Sequence, residues 1–150
     1  METIHFYKTR DTYGQFSNFL DAPIIIDGVR WLTSEHFFQA AKFSPTDPEW
    51  AESIWASGTA GMAANKGRSR AHPLRPDWEE AKDGIMYLAL LAKFTQYRIL
   101  REILLNTGDA ILVEHTSNDR YWGDGGDGSG KNMLGKLLMK VREVLSEVRV

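Results

Sequence analysis

Asp77–Leu105 reads DWEEAKDGIMYLALLAKFTQYRILREILL, and this stretch decides the fold class. Asp77 and Glu80 have the D-x-x-E spacing of a capping box, so a helix begins here. From Ile85 to Ala92 apolar residues fall nearly all round the helix, which predicts a central buried helix. The pattern breaks near Gln96 and resumes to Leu105. Further on, Ile111 to Val113 reads as a strand, and Asn132 to about Glu147 as an amphipathic helix. There Leu134, Leu137, Leu138, Val141 and Leu145 share one face, and Lys136, Lys140, Glu143 and Glu147 the other.

Upstream, Thr3 to Tyr7 alternates enough for a short strand. Pro23–Ile26, Asp27-Gly28 and Val29–Trp31 spell a hairpin on a favoured two-residue turn. Thr33 or Ser34 caps a helix running to about Phe43. Asp47-Pro48 starts another, with Trp50, Ile54 and Trp55 as its apolar stripe. Gly58 ends it, and a short helix follows through Ala60 to Asn65. The expected fold is mainly α (α+β). It is a single domain over residues 1–150, a helical bundle around the buried central helix with a small antiparallel β-sheet. The order of elements does not suit a parallel βαβ sheet.

Composition narrows the function. The chain has 150 residues, 25% of them charged, and a net charge of −2. That balance gives no ground for non-specific binding to DNA or to an anionic membrane surface. With no cysteine, disulfides, thiolate metal sites and a cysteine nucleophile are excluded. The N-terminus lacks the apolar core of a signal peptide, and no apolar run approaches the roughly 20 residues that span a bilayer. A cytoplasmic protein with no membrane partner is expected.

Three groups of residues carry possible chemistry. On the helix SEHFFQAAKF, Glu35, Gln39 and Lys42 recur at i, i+4 and i+7 and form one thin polar stripe between Phe37, Phe38, Ala40, Ala41 and Phe43. A stripe so framed suits a cleft or a buried network, where a carboxylate can transfer protons and a lysine can become nucleophilic. It equally suits an ion pair that fixes helix packing. In the glycine-rich segment Glu114–Gly135, Trp122 offers a face for stacking, Gly123 a close backbone approach, and Asp119 an acceptor for sugar hydroxyls or for a water. The plainer reading is a surface turn anchored by its tryptophan. The run Lys66 to Arg75, with Arg68, Arg70 and His72, is a cationic patch suited to a phosphate or simply to solvent.

Other motifs fail. Gly125–Asn132 spells G-x-x-x-x-G-K but ends in Asn where a P-loop needs Ser or Thr. Asp124 and Asp127 lack the ligand alternation and terminal Glu of an EF-hand. His5, His36, His72 and His115 show no paired metal spacing. No metal and no cofactor are expected.

Three segments, YGQFSNF (Tyr13–Phe19), WLTSEHFFQAAKF (Trp31–Phe43) and LVEHTSNDRYWGDGGDGSGKNMLGKLLMKVRE (Leu112–Glu143), together resemble the NADAR family and its YbiA-like bacterial members. The likeness runs from about Ile4 to Glu143. It implies cleavage of N-glycosidic bonds. The substrate it implies is a small phosphorylated ribosyl-base, a ribosylamino-pyrimidine phosphate of riboflavin biosynthesis, from which ribose 5-phosphate is released. The alternatives are removal of ADP-ribose from guanine in nucleic acid, or a non-catalytic ADP-ribose or nucleotide-binding module. Carried over by motif position, the functional set is Asn18, Glu35, Lys42, Asp119, Trp122, Gly123 and Asn132, to which the residue reading adds Gln39 and Arg68. Glu35 or Asp119 would stabilise the sugar cation and orient water. Lys42 would protonate the leaving group or attack an opened sugar as an amine. Trp122 would stack, Asn18 and the Gly123 backbone would hold hydroxyls, and the Lys66–Arg75 patch or the helix starting near Asn132 would meet the phosphate. Oligomeric state is not legible.

Overall fold

The computed structural model describes residues 2–148. Four strands, β1 (Thr3–Phe6), β2 (Ile24–Ile26), β3 (Val29–Trp31) and β4 (Ile111–Glu114), accompany six helices. The helices are α1 (Ser34–Ala41), α2 (Pro48–Trp55), α3 (Ala60–Gly67), α4 (Trp78–Gln96), α5 (Arg98–Asn106) and α6 (Met133–Glu147). The fold is α+β, as expected. The chain divides into two compact units, one of residues 18–92 and one of residues 1–17 with 93–150.

In the 18–92 unit, Asp27 and Gly28 both take positive φ (51° and 79°), as a tight hairpin turn requires. β2 and β3 therefore pair antiparallel, Ile24 opposite Trp31. Three helices start on side-chain caps. Thr33, Asp47 and Thr59 accept the N–H of His36, Trp50 and Met62, each at 3.1 Å. Ala40, Phe43, Ala51, Ile54 and Ala63 make a core shared by α1, α2 and α3, with Trp31 and Trp50 packed on it. The predicted capping box at Asp77 does not form. Glu80 N–H donates to the Asp77 main-chain carbonyl, and Arg75 takes the carboxylate in a two-point ion pair.

α4 differs from the expected all-round burial. Trp78, Met86, Ala89, Leu90 and Phe94 are buried, but Leu88 is 44% exposed. The helix ends where predicted, at Gln96, because Tyr97 turns extended before α5.

In the other unit, β1 and β4 pair in parallel, with Thr3 opposite Ile111. The hairpin supplies the expected antiparallel sheet, and the parallel β1–β4 pair is a second, separate one. Phe16 is fully buried between Phe6 (5.6 Å between ring centroids) and Phe94 (5.9 Å). The apolar face predicted for α6 is buried as a set, from Leu134 to Leu145. Among the described residues no helix is long and apolar enough to cross a membrane.

Candidate active site

α1 is pinned at its start. The buried His36 ring lies 2.9 Å from the Ser57 carbonyl through Nε2 and 2.7 Å from the Thr33 hydroxyl through Nδ1. A carbonyl only accepts, so Nε2 carries a proton and donates it to Ser57. Asn18 holds the same end. Its main-chain carbonyl accepts from Glu35 N–H, its Oδ1 from the Ser34 hydroxyl at 2.7 Å, and its Nδ2 faces Met86 Sδ. Both of Asn18's side-chain ends thus serve the frame around Glu35.

The stripe is real and mostly sequestered. Glu35 is 8% exposed and Gln39 7%. Gln39 Nε2 donates to Glu35 Oε2 at 2.7 Å, while Gln39 Oε1 is buried with no hydrogen-bond partner among the described residues. A Cβ on Gly67 would collide with that Oε1, so any side chain at the last residue of α3 would displace the Gln39 amide. Lys42 Nζ donates to the Gly67 carbonyl at 3.3 Å and stands 5.7 Å from the centres of the Phe38 and Trp78 rings. Arg68 follows Gly67, is exposed, and donates to Asn65 Oδ1. Asn18, Glu35, Gln39, Lys42 and Arg68 all belong to this unit. A buried carboxylate that accepts from the Gln39 amide keeps a fixed direction that water would not give it.

The rest of the cationic patch is engaged locally. Lys66 donates to the Ser53 carbonyl and hydroxyl. His72 bonds Asp47 at 2.7 Å and stacks on Trp50 at 3.8 Å. Arg75 is held by Asp77 and the Ala41 carbonyl. Arg70 is exposed.

Asp119, Trp122, Gly123 and Asn132 lie in the other unit. Asp119 Oδ1 accepts the N–H of Tyr121 and of Trp122, which folds the turn. The Trp122 ring meets Tyr121 edge-on at 4.9 Å. The glycines here approach their own chain. A Cβ on Gly123 would lie 2.8 Å from Thr116 Cγ2, and one on Gly130 2.5 Å from the Gly123 carbonyl. The buried Asp124 ties the loop together, taking Thr116 and Gly126 N–H on Oδ1 and His115 Nδ1 on Oδ2. Burial works to raise its pKa, but those donors outweigh it and the net shift is downward. Asn132 takes positive φ (53°). Its Oδ1 accepts from Glu114 N–H and its Nδ2 donates to the Leu112 carbonyl. The N–H groups of Met133 and Leu134, which open α6, donate to the carbonyls of Tyr121 and Trp122. That leaves this helix start less able to meet a phosphate than the sequence suggests.

Two features escape the sequence reading. Trp31, Phe37, Ala41, Ala51, Trp55 and Arg75 line an apolar hollow of about 530 Å³. At about 100° per residue its α1 members lie across the helix from the Glu35 stripe. Its aromatic residues read as ordinary core. Lys93 sits in an apolar run and is 1% exposed, its Nζ donating to the Ser17 carbonyl at 2.8 Å; burial pushes its pKa down to about 7. Among the described residues no group of three or more His, Asp or Glu gathers to hold a metal ion.

A buried glutamate braced on one capped helix, in an α+β chain, defines a candidate acid–base site. The chain belongs to the NADAR family, whose domain matches residues 5–146. It is similar to N-glycosidase YbiA of Escherichia coli (strain K12), 54% identical over 143 residues, covering 95% of this chain and 88% of that one. It is similar to N-glycosidase Npun_R5314 of Nostoc punctiforme, 45% identical, covering 94% and 91%. Riboflavin biosynthesis protein VVA0006 of Vibrio vulnificus is 38% identical, over 97% of this chain but 39% of that longer protein. The NMR structure of the E. coli protein YbiA superposes with a TM-score of 0.90 at 52% identity, over 98% of this chain and 86% of that one.

Proposed function

We propose that this chain hydrolyses the C1′–N bond of a ribosylamino-pyrimidine phosphate and releases ribose 5-phosphate. The enzyme class, N-glycosyl hydrolase, follows from its N-glycosidase relatives, which align over most of its length. The pyrimidine substrate is supported by the name of the Vibrio relative, a riboflavin biosynthesis protein.

One observation carries the mechanism: the buried Glu35 carboxylate has one oxygen tethered by Gln39 at 2.7 Å. Breaking the C1′–N bond builds positive charge on the sugar. A fixed carboxylate stabilises that charge and receives a proton as water adds to C1′. The departing nitrogen takes up a proton. Lys42 supplies it or stabilises charge, or its amine attacks C1′ of the ring-opened substrate iminium, expels the base amine and leaves a lysine imine that water cleaves to the sugar.

The test is a panel of N-glycosides assayed for free base and free sugar, with wild type beside Glu35→Gln. The wild type should release both products. The variant should melt like the wild type and turn over about 10²–10⁴-fold more slowly. A fully active variant would remove Glu35 from the chemistry.

A further inference from the structure

β1 ends at a cavity lined by none of the residues assigned to the proposed hydrolysis. His5, Tyr7, Lys8, Arg10, Asp11 and His115 line an open cavity of about 420 Å³. The chain as a whole is slightly acidic, at −2, yet this wall is cationic. The side chains of Lys8 and Arg10 make no hydrogen bond or ion pair with any described residue. Asp11, the carboxylate of the wall, has Oδ2 on Lys8 N–H at 2.9 Å, which closes the turn beneath the two cations. His115 is held in place by the buried Asp124, 2.7 Å from its Nδ1, and meets the His5 ring edge-on at 5.3 Å. Asn118 Nδ2 donates to the Tyr7 hydroxyl at 3.3 Å and fixes the rim.

We propose that this cavity binds a phosphate group, either free phosphate or the end of a small phosphomonoester. Lys8 and Arg10 both line the cavity, so an anion bound there gains from two positive charges. A guanidinium offers a fork of N–H donors that matches two phosphate oxygens, and an ammonium offers a point charge for a third. The cavity's volume exceeds that of one phosphate, which leaves room for an ester substituent. The inference is independent of the hydrolysis proposed above, since it involves none of Asn18, Glu35, Gln39 or Lys42.

The test uses the full chain, isotope-labelled, with the His5 and His115 ring resonances followed by NMR. It is titrated in turn with inorganic phosphate and glycerol phosphate, and compared with a Lys8→Ser, Arg10→Ser variant and with Arg10→Gln alone. All replaced side chains are exposed. Phosphate should move both rings saturably, and the double variant should bind at least about tenfold more weakly. Tighter binding of glycerol phosphate identifies a phosphomonoester as the ligand; equal or tighter binding of inorganic phosphate identifies the free ion. Shifts that do not saturate by about 50 mM, or equal affinity in wild type and the double variant, would overturn the proposal.

Discussion

Gln39 faces Glu35 with its amide nitrogen and Gly67 with its amide oxygen, so one side chain couples the candidate catalytic carboxylate to the end of α3. The oxygen has no hydrogen-bond partner among the described residues. Packing against a residue without a side chain is what holds it there. Gly67→Ala should therefore drive Gln39 out of place, costing about 1–3 kcal/mol of stability by overpacking and lowering kcat through Glu35. The double variant Gly67→Ala, Gln39→Ala should recover the stability but not the turnover. Melting curves and product release, measured on both variants, separate the two effects; full activity in the double variant would show that the tether does not matter.

Lys42 presents its amine to the Gly67 carbonyl and two aromatic rings. If it forms an imine, borohydride added during turnover should trap a covalent adduct on this residue, read by mass spectrometry after digestion. Lys42→Arg keeps the charge but cannot form the imine. Substantial activity in that variant, together with an absence of adduct in wild type, would assign Lys42 to charge stabilisation.

Lys93 offers a pH test on stability. An unfolded lysine titrates near about 10.4, whereas burial lowers this one to about 7. Between those values the unfolded chain holds a proton that the folded chain does not. Stability should rise with pH through that window, and the cost of the buried charge is fully felt below about pH 7. Lys93→Met removes the effect. Denaturant unfolding of both proteins at about pH 6.5 and pH 9.5 should show wild type gaining on the variant by a few kcal/mol as pH rises. A constant difference would mean that Lys93 is not desolvated as its burial indicates.

Local signals were readable from the sequence. The hairpin follows from Asp27-Gly28, the cap of α2 from Asp47-Pro48, that of α1 to within a residue from Thr33 or Ser34, and the end of α4 from the loss of pattern at Gln96. The Glu35–Gln39–Lys42 stripe was readable because helical periodicity alone brings those positions together. Long-range consequences were not. Nothing near Thr3 announces a parallel partner at Ile111. Gly67 reads as one letter of a cationic run, because the side chain that requires it comes from another helix. The glycines after Asp119 read as room for a ligand; the structure shows in addition that Gly123 and Gly130 admit their own chain, which no local pattern announces. Asp77 has the spacing of a cap, yet a nearby guanidinium competes for its carboxylate and wins.

Asn132 separates a structural role from a binding one. Its backbone has positive φ, which Asn and Gly tolerate better than other residues. Its amide bridges Glu114 N–H and the Leu112 carbonyl on β4. Asn132→Gly keeps the backbone and loses the bridge, at about 1–3 kcal/mol for the groups left unpaired. Asn132→Ala loses the bridge and adds about 1–2 kcal/mol of left-handed strain. Asn132→Asp keeps an acceptor for Glu114 but sets an oxygen against the Leu112 carbonyl. The order of stability should be wild type, then Gly, then Ala, with faster hydrogen exchange at the Glu114 amide in both the Gly and Ala variants. If activity follows that same order at a temperature where all are folded, Asn132 serves the loop. Equal loss of activity in Gly and Ala, with KM raised and the Glu114 amide still protected, would place its amide on the substrate instead.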